Sequence, residues 1–477
     1  MEFGLIDAGA YIPRLRLSRG AIAAAHKWMA PSLGAGAKGE RAFCSFDEDA
    51  VTMAVEALRD AVPLADRGAV RSLVLASTTL PYADMSNAAI VAGAADLAVD
   101  VATQESTGSQ RAATSALIAA VRAQADGTVI VATDRPQATP ASAQELQLGA
   151  GAAALRLGRG DLVARFLGAG SVALNFPDHL RATGEDDGYY WEERWIRDEG
   201  YGRAIPPAVK AALAEAGLTI ADIRHFVMPA MIRKGADGVA RDLGFKGTVA
   251  DDLSTTCGHA GAAHALLMLA QVLETAAAGD RILVVGFGQG ADAIVLEATG
   301  RRPTGRGVAA CLADKVVTQD YLRLLSFYGR LDLDWGMRAE GAEKAALTNV
   351  WRAAPQLSAF KAGRCPKCAT VQFPQLPLCV TGGCGTPRAE FAQVSLADEP
   401  ARVLTFTADW LSYHPAPPLN IGFVQFANGA RIYMETCDAA PGQMDVGLPL
   451  KMVFRIKKTD PRNGFRRYFW KATPAQA

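Results

Sequence analysis

Four of the chain's eight cysteines fall within a twenty-residue stretch: Cys365 and Cys368 frame Pro366-Lys367, and after ten intervening residues Cys379 and Cys384 form a longer CxxxxC knuckle. Tetrahedral thiolate coordination of Zn2+ needs four sulfurs on two tight turns, and the pairs Pro366-Lys367 and Gly382-Gly383 allow those turns. Four Cys ligands leave no open position, so the expected metal is structural: zinc, or iron in a recombinant preparation. The other cysteines, Cys44, Cys257, Cys311 and Cys437, are scattered, which argues for a metal site rather than a disulfide framework.

Other residue types point to carbonyl chemistry. His259, one of six histidines, lies between Gly258 and Gly261, where an imidazole can serve as a base near neutral pH or bond a loop carbonyl. Cys257 invites a Cys/His nucleophile pair with it. Side chains two residues apart on a turn tend to diverge, however, and a small buried Cys is common. His264, followed by Ala265-Leu266-Leu267, reads as a packing residue. Gln110 sits just after Gly108 and Ser109, with Ser109 as the expected N-cap, so it falls on the first turn of a small-residue helix facing the helix N–H groups. Many folds seat a nucleophile there, and this chain has an unreactive amide. Gly288 and Gly290 in GFGQG make a tight turn between strands. They are not a dinucleotide signal, because no strand-turn-helix unit with a following acidic residue accompanies them.

The elements that must position these residues follow from periodicity. Asp100-Val-Ala reads as the end of a strand, and Ala112, Ala113, Ala116, Leu117, Ala120 and Val121 recur at helical spacing after it. Asp47–Val62 reads as an amphipathic helix whose acidic triplet, Asp47-Glu48-Asp49, is a helix-start device. Strands are expected at Ser72–Ser77 and Thr128–Thr133, followed by a loop, Asp134–Gln147, and the glycine-opened strand GAGAAALRLG. The same order returns in a helix at Pro207–Ala216, a strand at His225–Pro229, a helix at Ala260–Ala278 and strands at Arg281–Phe287 and Ala293–Glu297. Leu73 to Val129 and Phe226 to Ile282 are both separations of 56 residues, so one α/β unit is duplicated. The two central helices are expected to face each other, with Thr78, Gln110, Val227–Met228 and Cys257–His259 converging. Beyond Arg301 comes a linker with helices at Tyr321–Tyr328 and Ala339–Ala353. The short strands Val403–Ala408, Ile421–Phe426, Ala430–Glu435 and Leu450–Lys457 then suggest a small β-barrel.

Composition bounds the rest. The 477 residues are 50% hydrophobic and 21% charged with no net charge, so no global field favours nucleic acid or an anionic membrane. The basic clusters Arg455–Lys458 and Arg462–Arg467 read as solvated strand faces. The N-terminal run MEFGLIDAGAYIPR lacks the basic segment and apolar core of a signal peptide, and the apolar run Ala260–Val272 falls short of a membrane span. A cytoplasmic protein with neither nucleic acid nor membrane as partner is the expectation.

GERAFCSFDEDAVTMAVEA, LQLGAGAAAL, GHAGAA and GFGQGADA together resemble the hydroxymethylglutaryl-CoA synthase branch of the thiolase superfamily over residues 1–300. The resemblance implies an α/β class, the duplicated five-layered thiolase fold, with halves at 1–155 and 156–310. It also implies a homodimer and an acyl-CoA substrate. The remainder reads as a helical linker (311–360), then a segment resembling the rubredoxin-like zinc ribbon (361–390) and an OB-fold β-barrel (391–477). The departures concern the chemistry. Counting back from Leu117 places Gln110 where the family has its Cys nucleophile, Thr78 stands where it has its Glu, and Val227 where it has its His. A shifted alignment brings Ser106 or Ser109 nearby as a hydroxyl nucleophile.

Three readings follow. The first is a CoA-dependent acyltransferase that makes or breaks a C–C bond next to a carbonyl, as in retro-Claisen cleavage of a β-keto acid or β-ketoacyl thioester. Here His259 is the base, and Gly288 N–H, Thr78 and the Gln110 amide stabilise the oxyanion. The amide is otherwise inert filler, or a mimic of an acyl-cysteine carbonyl, as in Gln-substituted decarboxylating ketosynthases. The second is a synthase with its nucleophile relocated to Cys257 or a serine. The third is a non-catalytic acyl-CoA-binding or scaffold subunit.

Overall fold

The computed structural model describes residues 2–341 and 344–475. The chain divides into two compact units, one of Met1–Ser45, Asp49–Ala92 and Leu97–Leu325, the other of Phe46–Glu48, Gly93–Asp96 and Ser326–Ala477.

In the first unit, strands β1 (Phe3–Tyr11), β2 (Ser72–Ala76), β3 (Ala102–Ser106), β4 (Thr128–Asp134), β5 (Gly151–Arg159), β6 (Ala164–Ala173), β7 (His225–Val227), β8 (Thr248–Val249), β9 (Arg281–Phe287) and β10 (Gly290–Ala298) form one mixed sheet. Its order is β8-β7-β9-β10-β6-β1-β5-β4-β2-β3. Outward from the β1/β6 junction both halves repeat one pattern: two antiparallel pairings, then two parallel ones. The junction is short, with Gly4 opposite Arg165 and Leu5 opposite Ala164. The register shows the duplication to be imperfect by one residue, since Leu73 faces Val129 whereas Phe226 faces Leu283, not Ile282.

Helices α1 (Ala50–Ala61), α2 (Ala112–Arg122), α3 (Gly202–Ala216), α4 (Gly235–Asp242) and α5 (His264–Leu273) cover this sheet. Strand alternation sorts them into layers. Ile282 and Val284 join the buried cluster of α2 and α5, while Leu283 and Val285 join that of α3 and α4. On the first half α1 packs against β1, β4 and β5. Ala113, Ala116 and Ala120 are small enough for α2 to approach α5, and full burial of Leu117 between them contributes roughly 1.5–3 kcal/mol. The layer order is helix, half-sheet, paired helices, half-sheet, helix, the two half-sheets being the two halves of the one ten-stranded sheet.

Local expectations change in several places. Ala102 begins a strand rather than ending one, and α2 starts at Ala112, so Gln110 lies in the turn before it. Ser109 is not the N-cap; Arg111 is. Of the acidic triplet only Asp49 caps α1, through a capping box with Thr52. Asp47 and Glu48 belong to the second unit. The helix expected from Pro207 begins at Gly202 and carries Pro206 and Pro207 within it. That expected at Ala260–Ala278 is a 3-10 turn, Gly261–Ala263, followed by α5. The first unit continues through Leu325, and Val316–Thr318 pairs in parallel with Leu15–Ser18. Of the helix expected at Ala339–Ala353, residues 342–343 lie outside those described, and Leu347–Arg352 is helical.

The second unit holds two antiparallel sheets. Strands β11 (Lys361–Arg364), β12 (Val371–Gln372) and β13 (Ala392–Ser395) make the first, with β11 central. The second contains β14 (Ala401–Val403), β15 (Thr407–Asp409), β16 (Leu419–Phe426), β17 (Arg431–Glu435), β18 (Pro449–Asp460) and β19 (Phe465–Pro474). Val403–Ala408 is therefore two strands rather than one, and β19 is a strand the periodicity did not reveal. A bridge from Thr436 to Ala472 brings the end of β17 alongside β19, curling the sheet toward closure. Its core is aromatic: Trp470 is buried beside Phe360 and Phe454, and its indole N–H donates to Ser358 O at 2.7 Å.

Arg455 is not on a solvated face. It is 1% exposed and pairs with Glu48 at 3.1 Å and Asp438 at 2.9 Å. Beside it the buried Lys471 ammonium bonds Asp47 at 2.8 Å and Glu435 at 2.5 Å. A buried charge persists only when paired, and these pairs account for the two acidic residues that do not cap α1.

Candidate active site

Asp134, at the end of β4, organises the loops of the first unit. Its Oδ1 accepts from Ser77 Oγ at 2.9 Å, Thr78 N–H at 2.8 Å and Thr79 Oγ1 at 2.8 Å; its Oδ2 accepts from Thr78 Oγ1 at 2.9 Å and Ala262 N–H at 2.7 Å. Gly261 has φ +52 and a β-carbon there would run into the Asp134 carboxylate, so only glycine fits. The Thr78 hydroxyl proton and amide are both committed to Asp134. Thr78 is therefore not an oxyanion donor, contrary to the sequence expectation.

The Gln110 turn is held from the opposite side. Buried Asp292 accepts from Arg111 at 3.0 Å, Thr114 at 3.0 Å, Ser115 at 2.6 Å and Ser171 at 2.8 Å. Gly288 C=O accepts from Ser109 Oγ and from Arg111 Nε, each at 2.9 Å. A β-carbon on Gly288 would meet Ser109 Oγ at 2.8 Å and Gln110 N at 3.2 Å, so this close approach requires glycine. The Gly288 N–H donates to Gly290 O at 3.0 Å and so is not the expected oxyanion donor. Ser106 and Ser109 spend their hydroxyl protons on Ala112 O and Gly288 O, which leaves neither as an activated nucleophile.

His259 is buried, and its backbone is clamped by Gln147 O and Gly149 N–H. Its Nδ1 accepts from Gly261 N–H at 3.2 Å, which places the proton of the neutral ring on Nε2. Burial, then the neighbouring His264 and His179, hold its pKa well below the usual imidazole range. His259 thus offers a hydrogen-bond donor rather than the expected general base. His264 stacks on it with ring centroids 4.5 Å apart and is satisfied at both nitrogens, by Ala260 N–H at 3.1 Å and Asp252 O at 2.7 Å. Cys257 does not pair with His259. Its buried thiol lies near Gly258 O at 3.3 Å and Leu253 O at 3.7 Å, and burial pushes its pKa up to about 12. Val227 ends β7 and Met228 follows it, and the two are buried in different core clusters.

Gln110 and His259 share an inner cavity of about 60 Å³, walled by Tyr201, Ile232 and Phe287 among others. A second, larger cleft of about 1070 Å³ is bordered by Thr78, Arg111 and Gly288. Three residues, Gln110, His179 and Tyr190, line both spaces. The Gln110 amide donates to the Tyr190 hydroxyl at 3.5 Å, and burial, then the charge of Asp134, raise the Tyr190 pKa above its usual range. His179 stacks on Tyr190 and bonds Asp178 Oδ2 through Nδ1 at 2.8 Å. Asp178 Oδ1 is fixed by Gln289, by backbone N–H at 3.1 Å and amide at 2.6 Å. Sequence reasoning missed Asp134, Asp178, His179 and Tyr190. The adjacent acid-imidazole pair Asp178-His179, ahead of the aromatic run Tyr189-Tyr190-Trp191, was the available signal.

In the second unit the four clustered cysteines converge. All four Sγ atoms lie within 4.8 Å of one another, with Cys365 and Cys384 at 3.6 Å and Cys368 and Cys379 at 3.5 Å. A Zn–S distance of ~2.3 Å in a tetrahedron requires sulfurs ~3.8 Å apart, so this donor set fits the metal. The first knuckle lies in the β11–β12 hairpin, where Cys365 N–H donates to Thr370 O. In the second, Gly383 turns at φ +74.

Residues 213–297 match the family model of the 3-oxoacyl-[acyl-carrier-protein] synthase III C terminal. The chain is 30% identical over 333 residues to a hydroxymethylglutaryl-CoA synthase of Thermococcus gammatolerans, covering 67% of this chain and 93% of that protein. Among solved structures it resembles a cysteine-to-serine variant of Xanthomonas campestris OleA with bound lauric acid and lauroyl-CoA (TM-score 0.54, 19% identity, 63% of this chain, 99% of that chain). It also resembles 3-oxoacyl-(acyl carrier protein) synthase III, FabH, from Pseudomonas aeruginosa (TM-score 0.55, 19% identity, 64% of this chain, 99% of that chain). These two likenesses concern the fold, and they agree with the duplicated sheet and paired central helices. The chain belongs to the hydroxymethylglutaryl-CoA synthase family, a branch of the acyl-CoA condensing enzymes of the thiolase superfamily.

Proposed function

We propose that this chain is a CoA-dependent acyltransferase that makes or breaks a C–C bond beside a carbonyl without an acyl-cysteine. In the cleaving direction it converts a β-keto acid or β-ketoacyl thioester and CoA into an acyl-CoA. The observation that carries this reading is the pairing, in one cavity, of a non-nucleophilic Gln110 with a neutral donor-bearing His259. The synthase named among the relatives and the lauroyl-CoA in the OleA structure support a CoA thioester as the ligand class.

With no acyl-enzyme at Gln110, the acyl group passes directly between carbon and the sulfur of CoA. The attacked β-carbonyl oxygen gathers negative charge, and the His259 Nε2–H and the Gln110 amide are the donors that meet it. Losing one such donor typically costs about 10²–10³ in rate. The bond between the α- and β-carbons then breaks and its electron pair leaves as an enolate.

Incubating the purified protein with a panel of β-keto acids and β-ketoacyl-CoAs, with and without CoA, and following acyl-CoA by mass spectrometry tests the reading. CoA-dependent acyl-CoA formation supports it, and an acyl adduct on Cys257 returns the case to a relocated nucleophile. The unreactive groups at Thr78, Gln110 and Val227 favour a second reading, an acyl-CoA-binding subunit; binding of CoA without turnover of any panel member would establish that one.

For the second unit the reading is a zinc ribbon over 361–390, held by Cys365, Cys368, Cys379 and Cys384, and an OB-fold over 391–477. The sulfur geometry and the Thr436–Ala472 bridge support these assignments. Bound zinc supplies local folding energy and no chemistry. A cytoplasmic homodimer completes the proposal, and a strictly monomeric species in sedimentation at micromolar concentration would contradict the dimer.

A further inference from the structure

We infer that His179, oriented by Asp178, is the general base that takes the thiol proton from CoA; the inference rests on the reaction proposed above. Direct acyl transfer to CoA requires a thiolate, and His259 is the wrong group to make one because its free nitrogen carries a proton. His179 has the complementary arrangement. Its Nδ1–H donates to Asp178 Oδ2 at 2.8 Å, and the carboxylate is itself anchored by two bonds from Gln289. This leaves Nε2 as a lone-pair acceptor with no protein partner among the described residues. Such a carboxylate-imidazole pair fixes the basic tautomer.

Position agrees with tautomer. His179 belongs to the wall common to the small cavity and the larger cleft, together with Gln110 and Tyr190, so it borders a thiol bound in either space. The other titratable groups facing the inner cavity are Asp178, Tyr190, Glu193, Tyr201 and His259. Asp178 is occupied by His179 and Gln289, and burial keeps Tyr190 and Tyr201 protonated and His259 neutral. Glu193 is exposed. His179 is the group left with both a free lone pair and a fixed orientation.

The step balances without any further reagent. His179 Nε2 takes the proton of CoA S–H. The sulfur pair forms the C–S bond at the β-carbonyl carbon, whose π pair moves to oxygen against the His259 Nε2–H. Collapse restores the carbonyl, breaks the bond between the α- and β-carbons and sends that pair to the α-carbon, which takes the proton back from His179. The products are an acyl-CoA and the shortened acid or thioester.

The test uses the full chain and His179→Ala. With a β-keto substrate that the wild type turns over, His179→Ala should lose about 10²–10⁴ in kcat, keep its CoA affinity within about threefold, and regain part of its rate with added imidazole. Asp178→Asn should lose rate without imidazole rescue. A second readout does not need turnover: the thiolate absorbance of protein-bound CoA is titrated against pH. In the wild type the bound thiol should titrate at least about one unit below the ~8.5 of a free thiol, and in His179→Ala it should return toward that value. If the wild type turns over nothing but the thiol shift is present and depends on His179, the reaction proposal fails and the base assignment survives. Identical thiol titrations in both proteins, full activity in His179→Ala, or no binding of CoA at all would each overturn the assignment.

Discussion

Asp134 Oδ2 accepts a hydrogen bond from the Ala262 N–H at 2.7 Å, joining the end of a first-half strand to the glycine turn that carries His259 in the second half. The same carboxylate also binds Ser77, Thr78 and Thr79, so one buried side chain sets the relative position of loops from both halves of the duplicated fold.

Asp134→Ala should therefore do more than remove a charge. It leaves several buried donors unsatisfied, with an expected loss of roughly 2–4 kcal/mol in folding stability. Denaturant unfolding of the mutant should show a lowered midpoint, while Asp186→Ala, at an exposed position, should fall within about 0.5 kcal/mol of wild type. Equal stabilities would remove Asp134 from its organising role.

The depressed pKa values of His259 and His264 have a stability consequence of definite sign. Both are lowered by burial, so below the unfolded imidazole pKa of ~6.5 the unfolded chain takes up protons that the folded chain does not. Stability contributed by these rings is fully present above pH ~6.5 and is lost as the pH falls, at up to about 1.4 kcal/mol per unit for each histidine. Unfolding measured from pH 7.5 to 5.5 should show this decline, weakened in His264→Gln. Stability that rises on acidification in this range would contradict the assignment.

Donor chemistry at His259 separates it from a base by substitution. His259→Asn retains an N–H and should keep more activity than His259→Ala, which should lose about 10²–10³ in kcat. Equal losses in the two variants, measured as kcat with CoA binding intact, would return His259 to the role of base. Cys257→Ala should leave turnover unchanged within about threefold, because the buried thiol touches neither cavity.

In the second unit, burial raises the Glu435 pKa, but His414, Lys471 and Lys457 outweigh it and bring the carboxyl down to about 2. Its contribution is present above the unfolded carboxylate value of ~4.3 and is lost as the pH falls toward 2, on the order of 2–3 kcal/mol. Lys471→Met leaves Asp47 and Glu435 buried without their shared cation and should cost about 3–5 kcal/mol. Metal removal tests the neighbouring sheet: chelation should raise the proteolytic sensitivity of residues 361–395 and leave residues 2–325 protected. Metal analysis with no bound metal in protein with intact thiols would end the zinc assignment.

Much of the fold was legible because the signals that specify it are periodic. Continuous apolar runs such as Val129–Ala132 mark strands buried on both faces, and the repeated spacing marks the duplication. Strand β19 escaped because arginines interrupt its alternation in Phe465-Arg-Arg-Tyr, and these face β18 in a hairpin that only register reveals. The site was legible only as a list of positions. Thr78 and Gly288 were placed at the cleft, but which protons they have already spent depends on Asp134 and Gly290, and no spacing rule gives that. His179 escaped for the opposite reason: it carries a local signal in its adjacency to Asp178, but it lies in an aperiodic segment whose relation to Gln110 exists only in three dimensions. Arg455 misled because a charge on a strand reads as solvent-facing until its partner, Glu48, is found some 400 residues away.

That separation bears on how the protein is made. Asp47 and its partner Lys471 stand 424 residues apart, so the carboxylates of Asp47 and Glu48 emerge from the ribosome long before the strands that neutralise them, β18 and β19, exist. At about 5–20 residues per second, the wait lasts tens of seconds, during which these side chains can only be held in water. Completion of the second unit is thereby tied to the synthesis of Lys471. A chain released before Lys471 would carry Arg455 and the acidic residues with an unbalanced charge in what should be its interior, a defect that quality-control proteases can read as an unfinished product.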